Sequence, residues 1–212
     1  MKVDVAFHLK GELIPADHGF CLFSAISKIL PVIHGDEGVG IHAIAGNPRQ
    51  NRNMELTTGS RLTFRIDSDR ISQLFPLSGT RLRLGGAELR IGSPTIYNLI
   101  PSPRVYSRLV IIKGFMEPKD FLQNARERLV SLGIKGNAKL KAQSDIQAAN
   151  SDRSGGSKSS VLRRTVRIRD KNIVGFALGV EELTPEESIF LQEIGLGGRR
   201  RFGCGLFIPN RR

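Results

Sequence analysis

The chain predicts an α+β fold in which one unit, strand–helix–strand–strand–helix–strand, is built twice in tandem. Three observations predict it. Short stretches alternate apolar and polar residues between turn signals, as half-buried strands do. Other stretches repeat apolar residues at three- and four-residue spacing, as helices do. A Pro101-Ser102-Pro103 break stands near mid-chain, and after it the same order begins again.

The elements follow in order. Residues 2–9 place Val3, Val5, Phe7 and Leu9 on one face of a strand. Pro15-Ala16-Asp17 makes a turn, Asp17 suits an N-cap, and Leu22, Ile26, Ile29 and Leu30 recur at helical spacing until Pro31. A loop from His34 to Gly38 leads to a second strand over 39–45, and 47–53 reads as an exposed hairpin or loop. Residues 61–67 turn Leu62, Phe64 and Ile66 inward, 69–77 is a short helix, and 81–91 is strand material broken at Gly85-Gly86. That order is the ferredoxin-like βαββαβ unit.

The second unit opens with a strand over 107–113. Pro118 then starts a helix carrying Phe121, Leu122, Ala125, Leu129 and Leu132, ended by Gly133. Residues 142–160 turn polar and Ser/Gly-rich, a mobile loop. Residues 161–169 and 173–180 read as a paired hairpin, Thr184-Pro185-Glu186-Glu187 as a capping box opening a helix to about 194, and 204–208 as the closing strand. The expected domains are therefore 1–104 and 105–212.

Composition narrows the class. Apolar side chains make up 40%, and two cysteines, Cys21 and Cys204, are too few for a disulfide scaffold or a Cys-based zinc site. No apolar run approaches the ~18–20 residues of a membrane span. The alternating start with its early Asp4 does not read as a targeting segment. A soluble, cytoplasmic protein with no membrane partner is expected. Charge is the informative quantity: Lys and Arg total 32 against 20 acids, a net +12. Two short segments, 153–171 and 199–212, hold nearly all of the surplus. Such a chain points first to a polyanion.

Between the last helix and strand stands Gly195-Leu196-Gly197-Gly198-Arg199-Arg200-Arg201-Phe202-Gly203-Cys204-Gly205. Its glycines permit positive φ and close approach to a phosphate, and its arginines supply donors. No Lys-Ser/Thr pair follows, so it is not a nucleotide-binding P-loop. In this loop the sequence resembles the RAMP superfamily of CRISPR RNA-binding proteins. Within it, four further features are similar to the repeat-RNA processing endoribonucleases, the Cas-six family: Ile14-Pro15-Ala16-Asp17-His18-Gly19, the passage from helix through His34-Gly35 to strand, Ser107-Arg108, and Ile112-Lys113-Gly114-Phe115.

The resemblance implies tandem ferredoxin-like domains and cleavage of the CRISPR repeat stem-loop without metal or cofactor. A 2′-hydroxyl attacks the adjacent phosphate, leaving a 2′,3′-cyclic phosphate and a 5′-hydroxyl. Two proton carriers and a cation are needed. The family's active site falls where the first helix passes into the second strand. His34 in that loop is the first candidate acid or base, His42 assists or replaces it, and Ser27 occupies the helix position where relatives carry Tyr or His. Lys28 is a candidate cation there. His18 organises the helix start or contacts RNA. Repeat RNA is expected on Lys158, Arg163, Arg164, Arg167 and Arg169 of the basic hairpin, on Arg108 and Lys113, and on Gly197, Arg199, Arg200 and Arg201 of the glycine loop. A non-catalytic RNA-binding subunit of a CRISPR effector complex, in contact with its other subunits, is the alternative.

Overall fold

The computed structural model describes residues 1–142, 161, 163–168 and 170–210. The described residues form two compact units. The first takes in Met1–Leu99, Val166–Lys171 and Arg200–Gly203; the second takes in the rest. These bounds differ from a cut at 104/105 in three short segments: 100–104 goes with the second unit, and 166–171 and 200–203 go with the first. The reason is packing: Ile168 and Phe202 join the hydrophobic core of the first unit.

In the first unit, β1 (Lys2–Lys10), β2 (Leu13–Pro15) and α1 (Gly19–Ile29) lead through a 3₁₀ turn to β3 (Gly40–Ile41). Then come β4 (Asn47–Pro48), β5 (Asn53–Glu55), β6 (Arg61–Asp67), a 3₁₀ segment Ser68–Leu77, β7 (Arg81–Leu84) and β8 (Ala87–Asn98). The main sheet has the order β3-β6-β1-β8-β7, antiparallel throughout, and β2-β5-β4 form a side sheet. Register follows the alternation: Val5 stands opposite Phe64 and Phe7 opposite Leu62. The rings of Phe7 and Phe64 meet edge-to-face at 6.0 Å. Helix α1 lays Leu22, Phe23 and Ile26 into the same core.

Three local expectations change. The stretch expected as a helix over 69–77 is 3₁₀, because Ile71, Leu74 and Leu77 recur every three residues, the period of that helix, and Pro76 has no N–H for an α-helical bond. The cap of α1 is His18, without a side-chain bond. Asp17 stands one residue too early, and its Oδ2 accepts from the Arg167 backbone N–H at 2.8 Å. The second strand shrinks to β3 because the Ile44 N–H turns away to His18 Nε2 at 2.9 Å.

In the second unit, β9 (Arg104–Val110) precedes α2 (Pro118–Ser131) and β10 (Asn137–Leu140). The hairpin β11 (Arg163–Ile168) and β12 (Lys171–Glu181) follows, with its Val166–Lys171 end assigned to the first unit, then α3 (Pro185–Ile194) and β13 (Ile208–Pro209). The sheet order β10-β12-β9-β13 repeats the first unit's topology, with β11 added along β12. Both units are thus ferredoxin-like. The capping box of α3 is complete: Thr184 accepts from the Glu187 N–H and Glu187 accepts from the Thr184 N–H. The closing strand is two residues long because Gly205 takes φ +68°, outside strand geometry. Phe121, Ala125 and Leu129 of α2 pack on Phe176, Leu178 and Val180. The polar stretch from 143 to 160, Lys158 and Arg169 lie outside the described residues.

Candidate active site

Helix α1 ends because Pro31 cannot continue it; the 3₁₀ turn Pro31–Ile33 then delivers His34 in an extended conformation. Gly35 follows at φ +86°, a turn that favours glycine and leaves His34 exposed. The imidazole stacks on Phe23, with ring centroids 5.9 Å apart and planes 25° from parallel. The Arg201 guanidinium lies over the same ring, 5.0 Å from its centroid. Phe202 meets Phe23 edge-on at 5.2 Å. One buried aromatic ring therefore gathers an imidazole from the loop and a guanidinium from the glycine-rich segment.

The loop behind His34 is braced by cations. Arg200 Nη2 donates to the Glu37 carbonyl at 2.6 Å, and Lys2 Nζ donates to the Gly38 carbonyl. Asp36 accepts from the Gly38 N–H at 2.8 Å and pairs with Arg70. Burial pushes the Asp36 carboxyl up, but the bonds from Arg70 and Gly38 outweigh it and hold the group below its usual range. His18 pins the same region from within. It is buried, its Nδ1 lies 3.0 Å from the Pro15 carbonyl, and its Nε2 accepts from Ile44. The ring is therefore in the Nδ1–H form, a donor on one side and an acceptor on the other.

The other candidates fall elsewhere. His42 follows β3, its N–H bonded to the Thr63 carbonyl at 2.9 Å. Its Nε2 is buried 3.5 Å from Asp4 Oδ1, too far and too poorly aligned for a hydrogen bond. Asp4 itself is clamped by Arg65, Nε to Oδ1 and Nη2 to Oδ2, each at 2.8 Å. Burial would raise the Asp4 carboxyl; His42 and Arg65 together overcome this and hold it far below the usual carboxylate range. No hydrogen bond or ring contact joins His42 to His34 among the described residues. Ser27 keeps its Oγ enclosed and, among the described residues, without a hydrogen-bond partner. Lys28 is exposed in the last turn of α1.

In the glycine loop, Gly197 sits at φ +77° where a Cβ would collide with the Ile111 carbonyl, so the backbone just past β9 demands this glycine. Gly198 bonds that same carbonyl at 3.1 Å. Arg199 is exposed, whereas Arg200 and Arg201 are engaged as described. On the second unit Arg108, Lys113 and Arg163 are exposed. Arg164 is half-buried, and its Nε has no hydrogen-bond partner among the described residues. Burial first, then the neighbouring charge of Arg108, lowers its guanidinium from the ordinary arginine range, with Tyr106 opposing. Arg167 is exposed on β11.

The sequence reading passed over Phe23 as the platform and over Lys2 and Arg70 as braces. The signal for Phe23 was aromatic spacing: Phe20 and Phe23 lie one turn apart on α1, and both meet Phe202. Among the described residues, no three His, Cys, Asp or Glu side chains converge to hold a metal ion, and no helix is long and apolar enough to cross a membrane.

Two ferredoxin-like units joined to a basic glycine-rich loop define a RAMP-type protein. The family model described as Cas6 Crispr matches residues 3–212, and the chain belongs to that family. The CRISPR-associated endonuclease Cas6 of Myxococcus xanthus (strain DK1622) is 33% identical over 207 residues, covering 98% of this chain and 81% of that relative. A solved structure, CRISPR associated protein Cas6, matches with a TM-score of 0.67 at 12% identity over the whole of both chains. Another, described as an RAMP protein binding different RNA substrates, matches at 0.67 and 12% over 97% of this chain and 98% of its own. At such identities the likeness to these structures is one of fold.

Proposed function

We propose that this chain is a metal-independent endoribonuclease that binds the CRISPR repeat stem-loop in the cytoplasm and cuts the precursor RNA. A 2′-hydroxyl attacks the neighbouring phosphate, its proton leaves to a base, and the 5′-oxygen departs with a proton from an acid. The products are a 2′,3′-cyclic phosphate and a 5′-hydroxyl. The observation that carries this reading is the meeting of His34 and Arg201 on the Phe23 ring. It supplies an exposed imidazole, a side chain type that serves as acid or base, beside a fixed cation for the charge that builds on the phosphate. His34 is exposed where a substrate can reach it. His42 is turned to Asp4, and the Ser27 hydroxyl is enclosed.

RNA binding is supported by the second unit. Arg108 and Arg164 stand together with no acid paired to either among the described residues, and a phosphate between them would supply the missing acceptor. Arg163, Lys113 and Arg199 extend the basic surface. In a duplex stem, phosphate and shape contacts dominate because the major groove is too narrow to read. The test is incubation with repeat RNA in EDTA, beside the same RNA carrying deoxyribose 5′ to the cut. The ribose substrate is cleaved, and the deoxy substrate is bound nearly as well and left intact. Cleavage of the deoxy substrate overturns the mechanism; tight binding with both RNAs intact makes the chain a binding subunit.

A further inference from the structure

A pocket of about 280 Å³ opens beside the first turn of α1, lined by Pro15, Asp17, Phe20, Cys21, Arg52 and Arg167. All six belong to the first unit. The volume lies just under the roughly 300–1,000 Å³ of small-molecule sites, the size of one flat ring system. Its walls are built in place. Arg52 sits at the tip of the β4–β5 hairpin at φ +56°, and its carbonyl accepts from the Ala16 N–H at 2.8 Å. Asp17 is fixed by the 2.8 Å bond from the Arg167 backbone to Oδ2. Its Oδ1 has no partner among the described residues. Phe20 is half-exposed and held from behind by Phe202, ring centroids 6.0 Å apart.

We infer that this pocket takes one unstacked nucleobase bearing an exocyclic amine, from single-stranded RNA beside the stem. The inference rests on the RNA reading above and adds a base-selective subsite to it. The chemistry is complementary on each side. Phe20 offers a face for stacking, worth far more to a base than to an aliphatic ligand. Asp17 Oδ1 accepts from an amine and repels the carbonyl that uracil presents in its place. Arg52 lies at the rim, where the flanking phosphate passes. Position agrees as well: Phe20 and Phe23 are one helical turn apart, ~4.5 Å along the axis, and Phe23 carries His34. Both rings also meet Phe202, so the pocket shares one aromatic cluster with the ring that carries His34.

Cys21 makes the pocket testable, since it is the half-exposed thiol of the chain and Cys204 is buried. In full-length protein carrying His34→Ala to prevent cutting, the rate of Cys21 alkylation by N-ethylmaleimide is measured with saturating hairpin RNA. The hairpin carries a flank of cytidines, of uridines or of abasic sites, and saturation is confirmed by filter binding. The cytidine flank slows labelling ~10-fold more than the other two, as expected for a hydrogen bond to a charged acceptor. RNA that binds while all three flanks leave labelling unchanged, or protect equally, overturns the pocket and leaves the RNA reading standing. Failure of every hairpin to bind overturns both.

Discussion

The two units share one topology but differ in what surrounds the cations nearest their candidate sites. In the first, Lys2, Arg65, Arg70 and Arg200 are engaged with Gly38, Asp4, Asp36 and Glu37 inside the unit. Those pairs hold a loop and a sheet face, and they leave His34 exposed on a stiff support. In the second, Arg108 of β9 and Arg163 and Arg164 of β11, two strands that each pair with β12, have no acid paired to them among the described residues. A guanidinium with a carboxylate or carbonyl in place builds structure. One without such a partner keeps a planar fork that fits a phosphate. In the function proposed above, the duplicated architecture separates two tasks, proton chemistry on a braced loop and phosphate binding on strands without paired acids.

The sharpest way to break the comparison is at His34. His34→Ala slows single-turnover cleavage ~10²–10⁴-fold with affinity little changed, the usual worth of one acid–base group. A loss of affinity at unchanged rate would instead move His34 to the RNA-binding task. Asp4→Asn removes the carboxylate that clamps Arg65, only 1% exposed, and costs about 3–5 kcal/mol in a denaturant titration. The same ion cluster gives the first unit an acid limit. Because folding depresses the Asp4 carboxyl, its contribution is fully present above the unfolded value of ~4 and is lost as pH falls further towards the folded one. Asp4→Asn should flatten that acid limb of the stability curve.

For the second unit the expected changes are smaller and differ in kind. Replacing Arg108 and Arg164 with glutamine weakens hairpin binding about tenfold or more. It also makes the plot of log affinity against log salt shallower by ~1–2. Melting temperature stays level or rises, since a half-buried unpaired cation is removed. An unchanged salt slope in a folded double variant would show these side chains to be facing solvent. The smallest effect is at Gly198→Ala, within ~0.5 kcal/mol, because nothing lies within 4 Å of the added methyl. Gly197→Ala, one residue away, meets the Ile111 carbonyl and serves as the destabilised control.

Much of the fold was legible because its signals are local. Alternation at β1 and β6 set which side chains face the core, and the capping box set where α3 begins. His34 was legible as a candidate because Pro31 and Gly35 punctuate the chain around it. The limits came where a distant residue claims a local group. Ile44 was read as strand, but a buried histidine takes its N–H; Asp17 was read as a cap, but β11 takes its carboxylate. Ser27 and His42 were placed by resemblance, and their surroundings are made by other elements.

The sequence alone determined two repeated βαββαβ units, a basic surplus in two segments and a glycine-rich loop, since periodicity, charge and backbone freedom are properties of neighbouring residues. Only the tertiary structure decided that Arg201 shares one aromatic ring with His34, 167 positions earlier in the chain, while Arg164 remains unpaired beside Arg108. The physical reason is that which cation finds a partner depends on which surfaces pack together, and no spacing along a chain contains that.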